Sequence, residues 1–330
     1  MPLTLIEAGK YVSLGLNTVI VGLGNIGLEY DLGLSNSILT HAKAVSIHPE
    51  FDLKGGVDLI SGQRQKLEAI YTCPTFREVK DAVEDNPDVV VVATSTVTHR
   101  YVVESILSCC APKLILCEKP FGSSFTDANY MSSLADQCDV RIAVNYIRRF
   151  EPGACEIKRR IDNGMLGEQI SGIARYSGDL LNNGSHMLNL LMNWFGDVKS
   201  IELLTKVGEV GCKQSMTDLV VQFEAGSIFL IANRITEYQI FEVDICGSSS
   251  RFFYKDSGRT ISWSGVTKDP YSKFSNNLMA KYENLPTDFY RYQWYVYEQI
   301  ANYLQAKSDS IASVENDALL THKHLSKWVT

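Results

Sequence analysis

No run of apolar residues in this 330-residue chain approaches the length that crosses a bilayer, so a membrane protein is not expected. The opening segment Met1–Lys10 has neither the basic block nor the apolar block of a secretory leader, and the expectation is a cytoplasmic protein. Positive charge is also scarce. The 31 Lys and Arg against 38 Asp and Glu leave a net charge of -7, which argues against a nucleic-acid binder and is sufficient for solubility. The eight cysteines include no Cys-x-x-Cys pair. Cys109 and Cys110 are adjacent and Cys117 sits in an apolar run, so reduced thiols are expected rather than a disulfide framework or a zinc site. His41 and His48 stand apart from any cluster of carboxylates or thiols and read as surface or hydrogen-bonded core residues, not as metal ligands. There is no internal repeat and no low-complexity tract. What is present, 45% hydrophobic and 21% charged residues, is ordinary for a soluble globular protein long enough for two domains with cores.

The first half is organised around Thr18–Gly27. The β-branched run Val19–Val21 reads as a buried parallel strand, and Gly22, Gly24 and Gly27 form Gly-x-Gly-x-x-Gly at its end. The first glycine permits a tight turn, the second lets backbone approach a pyrophosphate, and the third lets helix and strand pack closely. A helix after the turn is expected to aim its first N–H groups at that pyrophosphate.

Strand and helix then alternate. Strands are expected at Gly56–Ile60, Tyr71–Cys73, Val89–Ala93, Lys113–Cys117 and Arg141–Asn145. Helices are expected from Gln65, over Phe76–Glu84, His99–Leu107 and Thr126–Gln137. That alternation predicts a doubly wound parallel sheet. Right-handed crossovers would gather the glycine turn, Thr94–Thr98, Glu118–Pro120 and Asn145–Tyr146 at one crevice. The pattern changes near Glu151-Pro152-Gly153. Helices at Cys155–Asn163 and Ser185–Phe195 flank a strand at Gln169–Tyr176. Strands follow at Ser200–Val207, Thr217–Phe223, Ser227–Asn233, Gln239–Cys246, Arg251–Lys255 and Thr260–Trp263. Short turns between consecutive strands predict a mostly antiparallel sheet with one face open. Lys268–Thr287 reads as an irregular excursion, with closing helices at Tyr290–Ala306 and Val314–Trp328. The expected division is 1–150 and 151–330, the closing helices being free to pack back on the first unit.

Gly-Leu-Gly-Asn-Ile-Gly at 22–27, Cys-Glu-Lys-Pro at 117–120, Asn-Tyr-Ile-Arg-Arg-Phe at 145–150 and Asn-Asn-Gly-Ser-His at 182–186 together resemble the Gfo/Idh/MocA family, that of glucose–fructose oxidoreductase and inositol 2-dehydrogenase. The resemblance spans essentially the whole chain. It implies an N-terminal Rossmann domain and a C-terminal α/β domain with an open sheet. It also implies hydride transfer between NAD(H) or NADP(H) and a carbinol carbon of a sugar, polyol or nucleotide-sugar. A homodimer or homotetramer through the C-terminal sheet is the implied assembly.

On this resemblance Lys119, His186 and Asn182 are the expected catalytic set. Pro120 fixes where Lys119 points, because proline ends the strand. His186, in the first turn of its helix, is biased towards the neutral imidazole. The family motif reads Asp-x-Gly-x-His-x-x-Asp, and this chain has Asn182 and Asn189 at the two aspartate positions. An asparagine orients substrate but accepts no proton at neutral pH. Two readings therefore stay open: an oxidoreductase, and a sensor or regulator that has kept the fold and lost the chemistry.

The cofactor is expected on Gly22, Gly24, Asn25, Ile26, Gly27, Ser61, Arg64, Thr94, Thr96, His99, Glu118 and Lys119. The substrate is expected on Lys119, Asn145, Tyr146, Arg148, Asn182, His186 and Asn189. For Arg148 and Arg149 the choice is between a substrate anion and interdomain ion pairs. Ser61 follows the second expected strand where an NAD-binding acid would stand, with Arg64 beyond it, and this favours NADP(H) over NAD(H).

Overall fold

The protein is described by a computed structural model over residues 15–207, 216–235, 237–309, 311 and 314–328. All of the lead-in Met1–Gly15 except Gly15 lies outside these residues. In chain order the first half comprises β1 (Leu16–Val21), α1 (His41–Ile47), β2 (Phe51–Val57), α2 (Ser61–Tyr71), β3 (Thr75–Phe76), α3 (Val79–Ala82), β4 (Val89–Val92), α4 (His99–Cys109), β5 (Leu114–Cys117), α5 (Phe125–Gln137) and β6 (Arg141–Val144). Their strands form a six-stranded parallel sheet in the order β3-β2-β1-β4-β5-β6. The four valines of β4 are fully buried. Val90 and Val92 pack with Val102 and Ile106 of α4, while Val89 and Val91 pack with Ala42 and Val45 of α1. A continuous β-branched run covered on both faces is what a central parallel strand requires, and each valine contributes roughly 1.5–3 kcal/mol by burial.

Register sets the functional edge. Val57, Val21, Val92, Cys117 and Val144 pair across neighbouring strands as the last residue of each. Asp58, Gly22, Ala93, Glu118 and Asn145 therefore follow one another along one edge of the sheet.

The expected boundaries shift on the far side of β1. The second strand ends at Val57, not Ile60, because Asp58 turns the chain: its Oδ1 accepts the N–H of Ile60 at 2.8 Å. The third strand is Thr75–Phe76, not Tyr71–Cys73, because α2 runs through Tyr71 and closes on Thr72 in the left-handed region, φ 52°. The helix expected over Phe76–Glu84 shortens to α3.

The second half comprises α6 (Pro152–Asp162), β7 (Ile170–Ser177), α7 (Ser185–Phe195), β8 (Ser200–Val207), β9 (Met216–Gln222), β10 (Gly226–Asn233), β11 (Phe241–Gly247), β12 (Ser250–Lys255), β13 (Thr260–Lys268), β14 (Asn276–Leu278), β15 (Glu283–Leu285), α8 (Tyr292–Leu304) and α9 (Val314–Leu325). The strands form one nine-stranded sheet, antiparallel except where β7 pairs β10. The excursion expected at 268–287 is more regular than its composition suggests, since β14 and β15 both add to β13. Helix α7 covers one face with Met187, Leu188, Leu191 and Trp194. On the other face alternation leaves Phe229 exposed between the buried Ile228 and Leu230. The closing helices pack back on the first sheet: Val296, Tyr297 and Ile300 of α8 share a core with Val89 and Ala42. Among the described residues no helix is long and apolar enough to cross a membrane.

Candidate active site

Each glycine of the turn has a different constraint. Gly22 sits at φ +100°, where a Cβ would stand 2.6 Å from the Ala93 carbonyl. At Gly27 it would stand 2.1 Å from the Gly22 oxygen, so the turn closes on itself only without side chains there. At Gly24 no heavy atom lies within 4 Å of that position. The open space at the second glycine is the cradle that backbone approach to a pyrophosphate needs, and the turn fits a dinucleotide.

The helix expected to follow is a single π-type turn, Asn25–Glu29, with Asn25 exposed and Ile26 half-buried. The chain then loops before α1. Asp31 closes that loop by accepting the N–H of Leu39 at 2.7 Å and both the N–H and hydroxyl of Thr40. The long segment after Gly27 thus delays the helix to His41.

At the end of β2, Asp58 Oδ2 accepts the N–H of Leu23, inside the glycine turn, at 2.9 Å. Asp58 and not Ser61 therefore occupies the strand-end position on which the expectation of NADP(H) rested. Ser61 is the exposed first residue of α2. Arg64 is committed to backbone, donating to the carbonyls of Asp58 at 2.7 Å and Leu59 at 3.2 Å.

Behind the edge lies a buried polar network. Glu118 Oε1 is 3.0 Å from His41 Nε2 and accepts from Asn145 Nδ2 at 2.6 Å. His41 Nδ1 meets the Tyr297 hydroxyl at 2.9 Å, and Asn145 also donates to Gln293 at 3.2 Å. Burial alone would raise the Glu118 carboxyl, but the bond and charge of His41, with Asn145 and Lys119, lower it overall. The network ties α1, β5, β6 and α8 behind Lys119. It places Asn145 beside Glu118, leaving its Oδ1 buried and unpartnered.

Lys119 reaches across to the second half, where its Nζ donates to Asn182 Oδ1. The peptide between Lys119 and Pro120 is cis. Thr96, Lys119 and Ser123 from one half and Asp179 and Asn182 from the other line a cleft of about 390 Å³. Burial lowers the Lys119 ammonium below the ordinary lysine range; Arg148 pushes the same way, against Glu118 and Asp179. His186 is driven well below the usual histidine range by burial and by the cations Lys119 and Arg148, so it is neutral at pH 7. It sits edge-on to Tyr146, with ring centroids 5.4 Å apart, and its Nδ1 is buried without a partner.

Other expected residues are placed elsewhere. Asn189 is fully buried between α7 and α9, accepting from Arg149 and donating to Thr321, both at 3.2 Å. Arg149 pairs with Asp317 at 2.7 Å, which makes it an ion pair between the two halves. Arg148 lies 3.9 Å over the Phe241 ring and donates to the Ser257 carbonyl at 2.5 Å. His99 is buried with Nε2 3.1 Å from the Thr94 carbonyl and Nδ1 3.5 Å from Cys117 Sγ. The Phe121 carbonyl also lies 3.4 Å from Nδ1, so His99 braces the ends of β4 and β5 and the segment after Pro120. Sequence reasoning missed Asp179, His41, Gln293 and Tyr297 as members of the site. The one local signal was Asp179 itself, a capping residue just before Asn182. A separate concavity of about 370 Å³ at the opposite sheet edge, lined by Asn17, Lys54, Asp85 and Pro87, adjoins none of this chemistry.

Residues 16–146 match the Gfo/Idh/MocA model, described as an oxidoreductase family with an NAD-binding Rossmann fold. Inositol 2-dehydrogenase of Rhizobium meliloti strain 1021 is 30% identical over 141 residues, 42% of this chain and 41% of that protein. The scyllo-inositol 2-dehydrogenase (NAD(+)) of Bacillus subtilis strain 168 is 28% identical over 163 residues, 48% of this chain and 44% of that protein. The match spans less than half the length of either relative. UDP-N-acetylglucosamine 3-dehydrogenase of Acidithiobacillus ferrooxidans shares the fold across both sheets. Its TM-score is 0.73 over 96% of this chain and 97% of that one, at 16% identity.

Proposed function

From a chain whose residues 16–146 belong to the Gfo/Idh/MocA oxidoreductase family, we infer an NAD(P)-dependent oxidoreductase acting on a carbinol carbon of a sugar, polyol or nucleotide-sugar. The reading rests on the cleft in which Lys119, from the cofactor edge, meets Asn182 from the second half. A bound dinucleotide supplies the hydride acceptor or donor. Lys119, with its lowered pKa, takes the hydroxyl proton or returns it. Asn182 orients the same hydroxyl without titrating. Neutral His186 stands behind as a second proton holder. The glycine turn holds the pyrophosphate and Asp58 the adenosine ribose hydroxyls, and a carboxylate there favours NAD(H) by repelling a 2′-phosphate. Division of labour near residue 150, a cytoplasmic setting, and pairing of two copies through the open sheet around Phe229 belong to the same reading.

The test is a turnover screen with both cofactors over free polyols, sugars and nucleotide-sugars. Wild type is expected to turn over at least one class. Lys119→Met should lose about 10²–10⁴-fold in kcat, the scale of general acid–base catalysis, while still binding cofactor. Full activity in Lys119→Met would overturn the assignment of the proton carrier. Sugar binding without turnover of any substrate would establish the sensor in its place.

A further inference from the structure

The cleft has one carboxylate in its lining, Asp179, and one cation, Lys119. Asp179 follows β7 and caps the turn Leu180–Gly184 that leads into α7. Its Oδ1 accepts the Asn182 N–H at 2.7 Å, and its carbonyl accepts the N–H groups of Asn183 and Gly184 at 3.1 and 3.2 Å. Asn182, held this way, receives the Lys119 ammonium on its side-chain oxygen. Among the described residues, the second carboxylate oxygen of Asp179 takes no hydrogen bond.

We propose that Asp179 is a positioning residue for Lys119, fixing Asn182 against the ammonium and placing the cleft's one negative charge beside it. The proposal rests on the reading of Lys119 as the proton carrier. Four titratable or charged groups face Lys119: Glu118 at its own strand end, Arg148 after β6, Asp179 before α7, and His186 within α7. Glu118 is already engaged by His41 and Asn145. Asp179 faces the cleft and is the carboxylate whose charge a substrate would meet. Its charge favours the ammonium, against burial and Arg148. Removing it should let Lys119 lose its proton more easily.

Asp179→Asn keeps an acceptor at the cap and deletes the charge; Asp179→Ser caps equally well without charge. In the oxidative direction Lys119 must be neutral, so the acid limb of the kcat/KM profile reports its titration. That limb should move to lower pH by about one unit in both variants, the scale for losing an opposite charge nearby. Asp179→Glu should restore it. A second readout needs no substrate: the pH dependence of Lys119 acetylation by acetic anhydride, followed by peptide mass spectrometry on the unliganded protein. A downward shift there in either folded variant supports the proposal, even if wild type proves to turn over nothing and the oxidoreductase reading falls. Identical Lys119 labelling curves in wild type and the folded variants would overturn it, whatever the turnover screen finds.

Discussion

Gly22→Ala and Gly24→Val should fail in opposite ways, one in folding and the other in binding. At Gly22 a Cβ would press to 2.6 Å on the Ala93 carbonyl, backbone that cannot swing aside, in a residue held at φ +100°. The conformational cost alone is about 1–3 kcal/mol, and the clash adds to it by separating β1 from β4. At Gly24 the backbone has φ −78° and ψ −153°, which any residue adopts, and no atom lies within 4 Å of the added carbon. Stability should change there by less than about 0.5 kcal/mol. The branched side chain would instead fill the space into which a pyrophosphate must descend. Losing that approach should weaken dinucleotide binding at least ~100-fold, about 2.7 kcal/mol. Urea unfolding reads the first effect and calorimetric titration with NAD(H) and NADP(H) the second. The reasoning is refuted by a Gly24→Val protein that binds either dinucleotide as wild type does. A Gly22→Ala protein of undiminished stability would equally refute the geometry.

Asp58→Asn keeps an acceptor for the Leu23 N–H and removes the charge; NAD(H) affinity should fall about tenfold and NADP(H) affinity should rise as the repulsion of its 2′-phosphate is lifted, so an unchanged ratio by calorimetry would exclude Asp58 as the selector. His41→Ala strands a buried carboxylate and should cost roughly 3–5 kcal/mol in urea unfolding. Adding Glu118→Gln should recover part of that, and strictly additive losses would contradict the coupling. Burial lowers the His322 imidazole to about 4. The unfolded chain, with an ordinary histidine near 6.5, then binds the extra proton first. Its stabilising contribution is complete above about pH 6.5 and is lost as pH falls towards 4, roughly 3 kcal/mol at most. Chemical denaturation across that window should show a shallower pH slope in His322→Gln, and parallel slopes would discount the group.

The Rossmann half was legible wherever one local feature decides the structure. Four consecutive valines admit one environment, a strand covered on both faces. The spacing of Gly22, Gly24 and Gly27 after a β-branched strand marks a tight turn by itself, although the carbonyl that excludes a side chain at Gly22 belongs to the distant Ala93, and Glu118-Lys119-Pro120 marks a strand end through proline. The features that stayed hidden depend on distant partners. Asp58 ends β2 by accepting from Ile60 and is held in place by the distant Leu23, so counting apolar residues overshot to Ile60. His41 looked isolated because its carboxylate, Glu118, is 77 residues away in sequence. Asn189 shares a helix face with His186 at a spacing of three residues, yet Arg149 and Thr321 claim it. Asp179 drew no notice in the sequence, and nothing local revealed that the turn it caps faces a lysine from another sheet.

The asparagine at 182 bears most directly on whether this cleft turns over or only binds. A binding site for a neutral polyol is served by hydroxyl and amide groups, which cost little to bury. Lys119 is more expensive, because burial opposes its charge and Arg148 opposes it again. His186 is held neutral next to it by burial and by the charges of Lys119 and Arg148. Lys119 at the strand edge and His186 in α7 are thus both biased towards their neutral forms, and perturbed groups meeting in a cleft are a mark of a functional site. Asn182 does not interrupt that arrangement, because its oxygen is already the acceptor that orients Lys119. The carboxylate absent at 182 is supplied one turn earlier, at Asp179, where it acts on the lysine by its charge and holds Asn182 through the backbone. Under the proposed function, an asparagine at 182 with Asp179 beside it moves the negative charge within the cleft and would leave the proton chemistry with the lysine.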